Sequence, residues 1–82
     1  MNPNLIAQAI FEFYLKYADV EGEHDFVTED KVYFKYYLSN SPTPEITVHE
    51  IYIDEIEQSK DFINNVEHVL EGILFDYYYL NE

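Results

Sequence analysis

The chain has 82 residues, and its 17 Asp and Glu stand against four Lys and no Arg, for a formal net charge of -13 at pH 7 and a sequence pI of about 4.2. That length allows one domain, residues 1–82, and the charge excludes direct binding to nucleic acid or to an anionic membrane surface, both of which would repel it. A hydrophobic content of 48% and an aromatic content of 18%, with nine Tyr and six Phe, exclude an acidic disordered tail, and the absence of Cys excludes a disulfide framework and a thiolate metal site.

Asn2 followed by Pro3 reads as the N-cap and first residue of a helix over residues 3–19. Ile6, Ala9, Ile10, Phe13, Tyr14 and Tyr17 recur along it at helical spacing. Its other side also carries Phe11, Leu15 and Ala18 among Gln8 and Glu12. A helix that is apolar nearly all round is sandwiched. It should touch the sheet and also either the last helix or a second chain, the latter as a homodimer through Phe11 and Leu15. The stretch Asp19-Val20-Glu21-Gly22-Glu23-His24-Asp25 holds four acids and a glycine and reads as a loop. Phe26-Val27-Thr28 is either a short strand or an extended lead-in, and Glu29-Asp30 a tight turn.

Lys31 to Leu38 reads as a strand, with Val32, Phe34, Tyr36 and Leu38 on one face and Lys31, Tyr33, Lys35 and Tyr37 on the other. Asn40 and two prolines mark a turn over 39–44. Glu45 to Ile53 is the next strand, and strict alternation places Ile46, Val48, Glu50 and Tyr52 on one face and Thr47, His49, Ile51 and Ile53 on the other. The short connection makes the two strands an antiparallel hairpin. Asp54 to Gln58 opens a helix, or Ser59 caps one. In that helix Ile63, Val66, Leu70, Ile73, Leu74 and Tyr77 form the apolar stripe, and Glu57, Asp61, Asn64, Glu67, His68 and Glu71 the polar face. Gly72 weakens the helix without having to break it. Residues 73–80 are read as its continuation, with Phe75 and Tyr79 on the polar side, the alternative being a final strand. The expected fold is α+β: a two- or three-stranded antiparallel sheet flanked by an N-terminal and a C-terminal helix.

Little in the chain points to catalysis. Paired carboxylates need environments that push their pKa values apart, and the acids fall at loop and polar-face positions. Glu50 is the exception. If the face it shares with Ile46 and Val48 is the core, it is a buried acid in need of a partner; otherwise the other face is the core, or Glu50 lies at the edge. His24, His49 and His68 are scattered, so no metal or other cofactor is expected, and the acidic loop from Asp19 lacks the EF-hand spacing. There is no G-x-S-x-G motif and no glycine-rich phosphate loop. The chain is expected not to be an enzyme. No apolar run reaches the ~18 residues of a spanning helix, and Met1-Asn2-Pro3-Asn4 has no basic signal-peptide segment, which makes the cytoplasm the expected location.

What remains is the acids, largely without compensating lysines, whereas ordinary surfaces intersperse both signs. Carboxylates lie about 5–6 Å apart at i, i+4 on a helix and about 6.6 Å apart on one strand face, so a protein can present charged rows as DNA does. Glu50, Asp54, Glu55, Glu57 and Asp61 are read as one ridge running from strand into helix, with Glu67 and Glu71 beyond. Asp19, Glu21, Glu23, Asp25, Glu29 and Asp30 form a second cluster. Tyr78 and Tyr79, in the run Tyr77-Tyr78-Tyr79, would supply aromatic anchors.

A small, strongly acidic, Cys-free chain of helix–hairpin–helix order resembles the DNA-mimic inhibitors of phages and mobile elements: anti-CRISPR proteins, anti-restriction proteins and uracil-DNA glycosylase inhibitors. The resemblance implies a phage protein, active in the host cytoplasm, that inhibits a basic nucleic-acid-binding protein or nuclease through protein–protein interaction. The chain is also similar to immunity proteins and antitoxins that neutralise basic toxins. A third class is a small oligomerising regulatory subunit built on the first helix.

Overall fold

The computed structural model describes residues 2–17, 20–40 and 43–80. The elements are α1 (Pro3–Tyr17), β1 (Gly22–Val27), β2 (Val32–Ser39), β3 (Glu45–Ile53), β4 (Ile56–Glu57), α2 (Lys60–Phe75) and a closing π-helical turn, Asp76–Leu80. The strands form one antiparallel sheet in sequence order, so the fold is α+β with a helix at each end. No helix among the described residues is long and apolar enough to cross a membrane.

Both helix starts are set by side chains. Asn2 Oδ1 accepts the Asn4 N–H at 2.8 Å, and Ser59, extended at φ -67 and ψ 162, accepts the Phe62 N–H at 3.2 Å. The segment from Asp54 to Gln58 is therefore not helical. Asp54 and Glu55 take φ 51 and 70, the two positive values a type I′ hairpin turn demands, and they fold β4 back onto β3. The acidic stretch expected as a loop becomes a strand from Gly22 onward, because β2 supplies its pairing partners from Gly22↔Leu38 to Val27↔Tyr33. Gly22 enters that strand at φ 132, a conformation closed to side-chain-bearing residues.

The core is a single cluster. Ile6, Ala7, Ile10, Phe11 and Tyr14 of α1 and Ile63, Val66, Leu70 and Leu74 of α2 pack on Val32, Phe34, Tyr36 and Leu38 of β2 and Ile46, Val48 and Ile51 of β3. Both helices thus cover one face of the sheet. The stripe expected on α1 is displaced, because α1 is wedged between the sheet and the C-terminal helix. Phe13 packs on Phe34 and Tyr36, while Phe11 lies 5.3 Å from the Tyr77 ring. Phe11 is only 7% exposed against 44% for Leu15, so the pair expected to form a homodimer patch is not presented together.

Strict alternation also fails in β3. Tyr36 pairs with Val48 and Lys35 with Glu50, leaving His49 as an extra residue in a β-bulge. The bulge shifts the alternation by one place. Ile46 and Val48 before it and Ile51 after it all reach the core, while Glu50 and Tyr52 turn to the opposite, uncovered face.

The C-terminal segment is helical, as its periodicity indicates, but its last turn is wide. The extra residue per turn moves the core-facing place from Tyr77, which is exposed, to Tyr78, which is half-buried with its hydroxyl bonded to the Tyr14 hydroxyl. Phe75 and Tyr79 stay exposed, their rings tilted against each other with centroids 5.0 Å apart.

Candidate interaction face

The helices leave one face of the sheet open. The register places Glu23, Asp25 and Val27 of β1 on it, then Tyr33, Lys35 and Tyr37 of β2, Thr47, Glu50 and Tyr52 of β3, and Glu57 of β4. Among the described residues there, four carboxylates meet one lysine. Lys35 Nζ contacts Glu23 Oε1 at 3.4 Å and sits opposite Glu50. Its pKa is raised, first by the hydrogen bond to Glu23 and then by that carboxylate's charge.

Tyrosines interleave with the acids. The Tyr33 hydroxyl donates to Asp25 Oδ2 at 3.2 Å, the Tyr52 hydroxyl donates to Glu57 Oε2 at 3.4 Å, and the two rings meet edge to face with centroids 5.8 Å apart. Both phenols are held above their ordinary pKa, Tyr33 by partial desolvation and the Asp25 charge and Tyr52 by the Glu57 charge first. At one end of this face an open cavity of about 810 Å³ lies between the two hairpin turns, lined by Val27, Lys31, Tyr33, Tyr52, Asp54 and Glu55.

The ridge expected from the sequence is only partly assembled. Glu50 and Glu57 share the open face, and Asp54 and Glu55 flank it at the cavity. Asp61 lies apart, in the first turn of α2, where it faces the positive end of the helix dipole. Glu57 precedes that helix, so the i, i+4 pairing expected for Glu57 and Asp61 does not exist. Glu67 is not a free polar-face carboxylate. It is half-buried, and its Oε2 accepts the Val48 N–H beside the bulge at 3.3 Å. Its pKa is raised, mainly by burial and further by Glu71, with the Val48 bond opposing. Glu71 stays exposed on α2. It lines a cleft of about 160 Å³ together with Tyr78 and Tyr79. In the acidic cluster of the N-terminal half, Glu23 and Asp25 are strand residues on the open face. Glu21 is exposed just before β1, Glu29 and Asp30 sit in the β1–β2 turn, and Asp19 lies outside the described residues.

Tyr33, Lys35, Tyr37 and Tyr52 lie on this face but are not among the residues the sequence singles out. The signal for the three on β2 is that strand's outward parity; Tyr52 is hidden by the bulge. His24 lies on the inner side, its ring 5.5 Å from Tyr36 and its Nε2 2.6 Å from the Val20 carbonyl. Among the described residues no three His, Asp or Glu side chains gather as a metal site requires. Comparison with protein-family models, with curated proteins and with solved structures gave no match for this chain.

Proposed function

We propose that the protein is a non-enzymatic inhibitor whose acidic sheet face occupies the nucleic-acid groove of a basic protein or nuclease, its carboxylates standing in for phosphates. One observation carries this reading: the face left uncovered by both helices bears Glu23, Asp25, Glu50 and Glu57 around three tyrosines, with Lys35 as its lysine. Strands about 4.8 Å apart, with same-face residues about 6.6 Å apart along each, spread these charges as a patch that can follow a groove lined with Lys and Arg. The class resemblance to phage DNA mimics supports the same mechanism. Complementary charge speeds encounter and makes association salt-sensitive, while Tyr37 and Tyr52 offer area for desolvated contact.

The test is capture from a bacterial lysate at low salt, identification of the retained proteins, and competition with duplex DNA. The reading expects a nucleic-acid-binding protein that releases DNA when this chain binds. The triple reversal Glu23→Lys, Glu50→Lys, Glu57→Lys should abolish capture, whereas Asp61→Lys with Glu71→Lys should not. A partner that still binds DNA inside the complex, or one retained by the triple variant, overturns it. A captured toxin encoded beside this chain would make the protein an immunity factor acting by the same physics.

A further inference from the structure

We infer that the cavity between the two hairpin turns is a receptor for one arginine side chain of a basic partner, its guanidinium stacked on Tyr33 or Tyr52 and forked to Asp54 or Glu55. The inference rests on the inhibitor reading for the identity of that partner; the pocket itself stands on its own geometry.

Three observations converge. The first is shape. The β1–β2 and β3–β4 turns are joined by a hydrogen bond from the Asp54 N–H to the Lys31 carbonyl, 3.1 Å, and both of these residues line the open cavity of about 810 Å³. The second is the pair of tyrosine rings at 65° to each other, with their hydroxyls tied down by Asp25 and Glu57. Two rings set at an angle, each anchored by its oxygen, offer ring faces to a cation, and arginine is the side chain that most often uses them. The third is charge. Asp54 and Glu55 line the cavity against Lys31, and Asp25 and Glu57 stand next to its rings. An anionic ligand would meet repulsion, and an apolar one would desolvate carboxylates without pairing them. A planar guanidinium both stacks on an aromatic face and meets a carboxylate through two N–H donors, which a lysine ammonium does not.

The probe is N-acetyl-arginine amide, titrated against the full chain and followed by tyrosine ring and backbone amide resonances. The expected result is saturable binding in the millimolar range, with the largest shifts at Tyr33, Tyr52, Asp54 and Glu55. Tyr52→Leu should weaken it about fivefold through the lost cation–π contact. Asp54→Asn should weaken it about threefold while keeping the left-handed backbone that Asn tolerates. N-acetyl-lysine amide should bind more weakly than the arginine probe. Shifts that spread without saturation over every acidic surface, binding indifferent to both substitutions, or equal binding of the two probes overturns the inference. Because the probe needs no partner, this result is independent of whether the protein displaces DNA from anything.

Discussion

Glu67 offers the sharpest test of how this fold is held. Its Oε2 accepts the Val48 N–H at 3.3 Å, from the middle of α2 to the strand beside the bulge. A hydrogen bond to a charged group contributes roughly 1.5–3 kcal/mol, and an N–H left without its acceptor costs about 1–3. Because Glu67 is only half-buried, water can replace part of that bond, and Glu67→Ala should cost about 1–2 kcal/mol. For a domain of this size each kcal/mol lowers Tm by about 4–8 °C. Glu67→Gln keeps a carbonyl acceptor and removes the repulsion from Glu71 and Glu45, so at pH 7 it should stay within about 0.5 kcal/mol of the parent. The pH dependence separates the two contributions. Burial raises the Glu67 pKa above 4.5. A carboxyl whose folded pKa lies above its unfolded one favours the fold in its neutral form, so that stability is fully present below 4.5 and is lost as pH rises through the raised value. Acidification across that window should stabilise the parent relative to Glu67→Gln, which does not titrate. Urea titrations followed by far-UV circular dichroism or tyrosine fluorescence, at pH 7 and near pH 5, measure all of this. If Gln is as damaging as Ala, the bond to Val48 is not what Glu67 contributes. If acidification favours the Gln variant instead, the Val48 bond outweighs burial and the direction of the shift is wrong.

Two glycine exchanges should raise stability by about 1 kcal/mol each in thermal melts. Gly72→Ala gains helix propensity on an exposed face with nothing within 4 Å of the added methyl, and Glu55→Gly relieves a side-chain-bearing residue held at φ 70; a loss in either would mean the local backbone differs from this one. Raising NaCl from low to about 0.15 M should stabilise the free chain, because its sequence sets 17 acids against four lysines and the described residues hold a single ion pair, and a fall in Tm with salt would show that internal ion pairs dominate. Tyr36 is fully buried and its pKa is pushed up to about 12 by burial; the raised pKa favours the neutral folded form, so stability should decline as pH rises from 10 towards 12. A tyrosinate absorbance titration would contradict this if all nine tyrosines ionised together before unfolding.

The helices and the central hairpin are legible because their apolar residues repeat without interruption, and Asn2 and Ser59 announce the helix starts. The bulge was legible in principle. Ile46, Val48, Ile51 and Ile53 are spaced two, three, two, and the step of three is a phase change that strict alternation overlooks. Strict alternation places Glu50 and Tyr52 on the face of Ile46 and Val48 and so conceals that both belong to the open face. β1 has no such signal. Glu23-His24-Asp25 has poor strand propensity, and only pairing to β2 makes it extended, a tertiary effect. The β3–β4 turn lacks the Asn or Gly that marks a type I′ hairpin, so Asp54-Glu55 reads as the acidic first turn of a helix. The acids themselves were plain, but which of them share a surface depends on register across four strands, and register emerges only once the strands are paired.

The shifts on the open face share one sign. Lys35 is raised by the bond to Glu23, Tyr33 by desolvation and Asp25, and Tyr52 by Glu57 and desolvation. Each keeps its proton more tightly than in water, and carboxylates contribute in every case, so the potential over the face stays negative after its lysine is counted. The core gains nothing from that field, because the apolar side chains that hold the fold lie on the opposite face under α1 and α2. The charge is a load on folding, carried where no part of the described chain covers it and where aromatic rings are already in place. A basic surface arriving there would relieve like-charge repulsion and form opposite-charge contacts at once. Substitutions that balance the face with lysine should therefore strengthen the isolated fold and weaken binding to any such surface. The two free energies move in opposite directions because the same field acts on both.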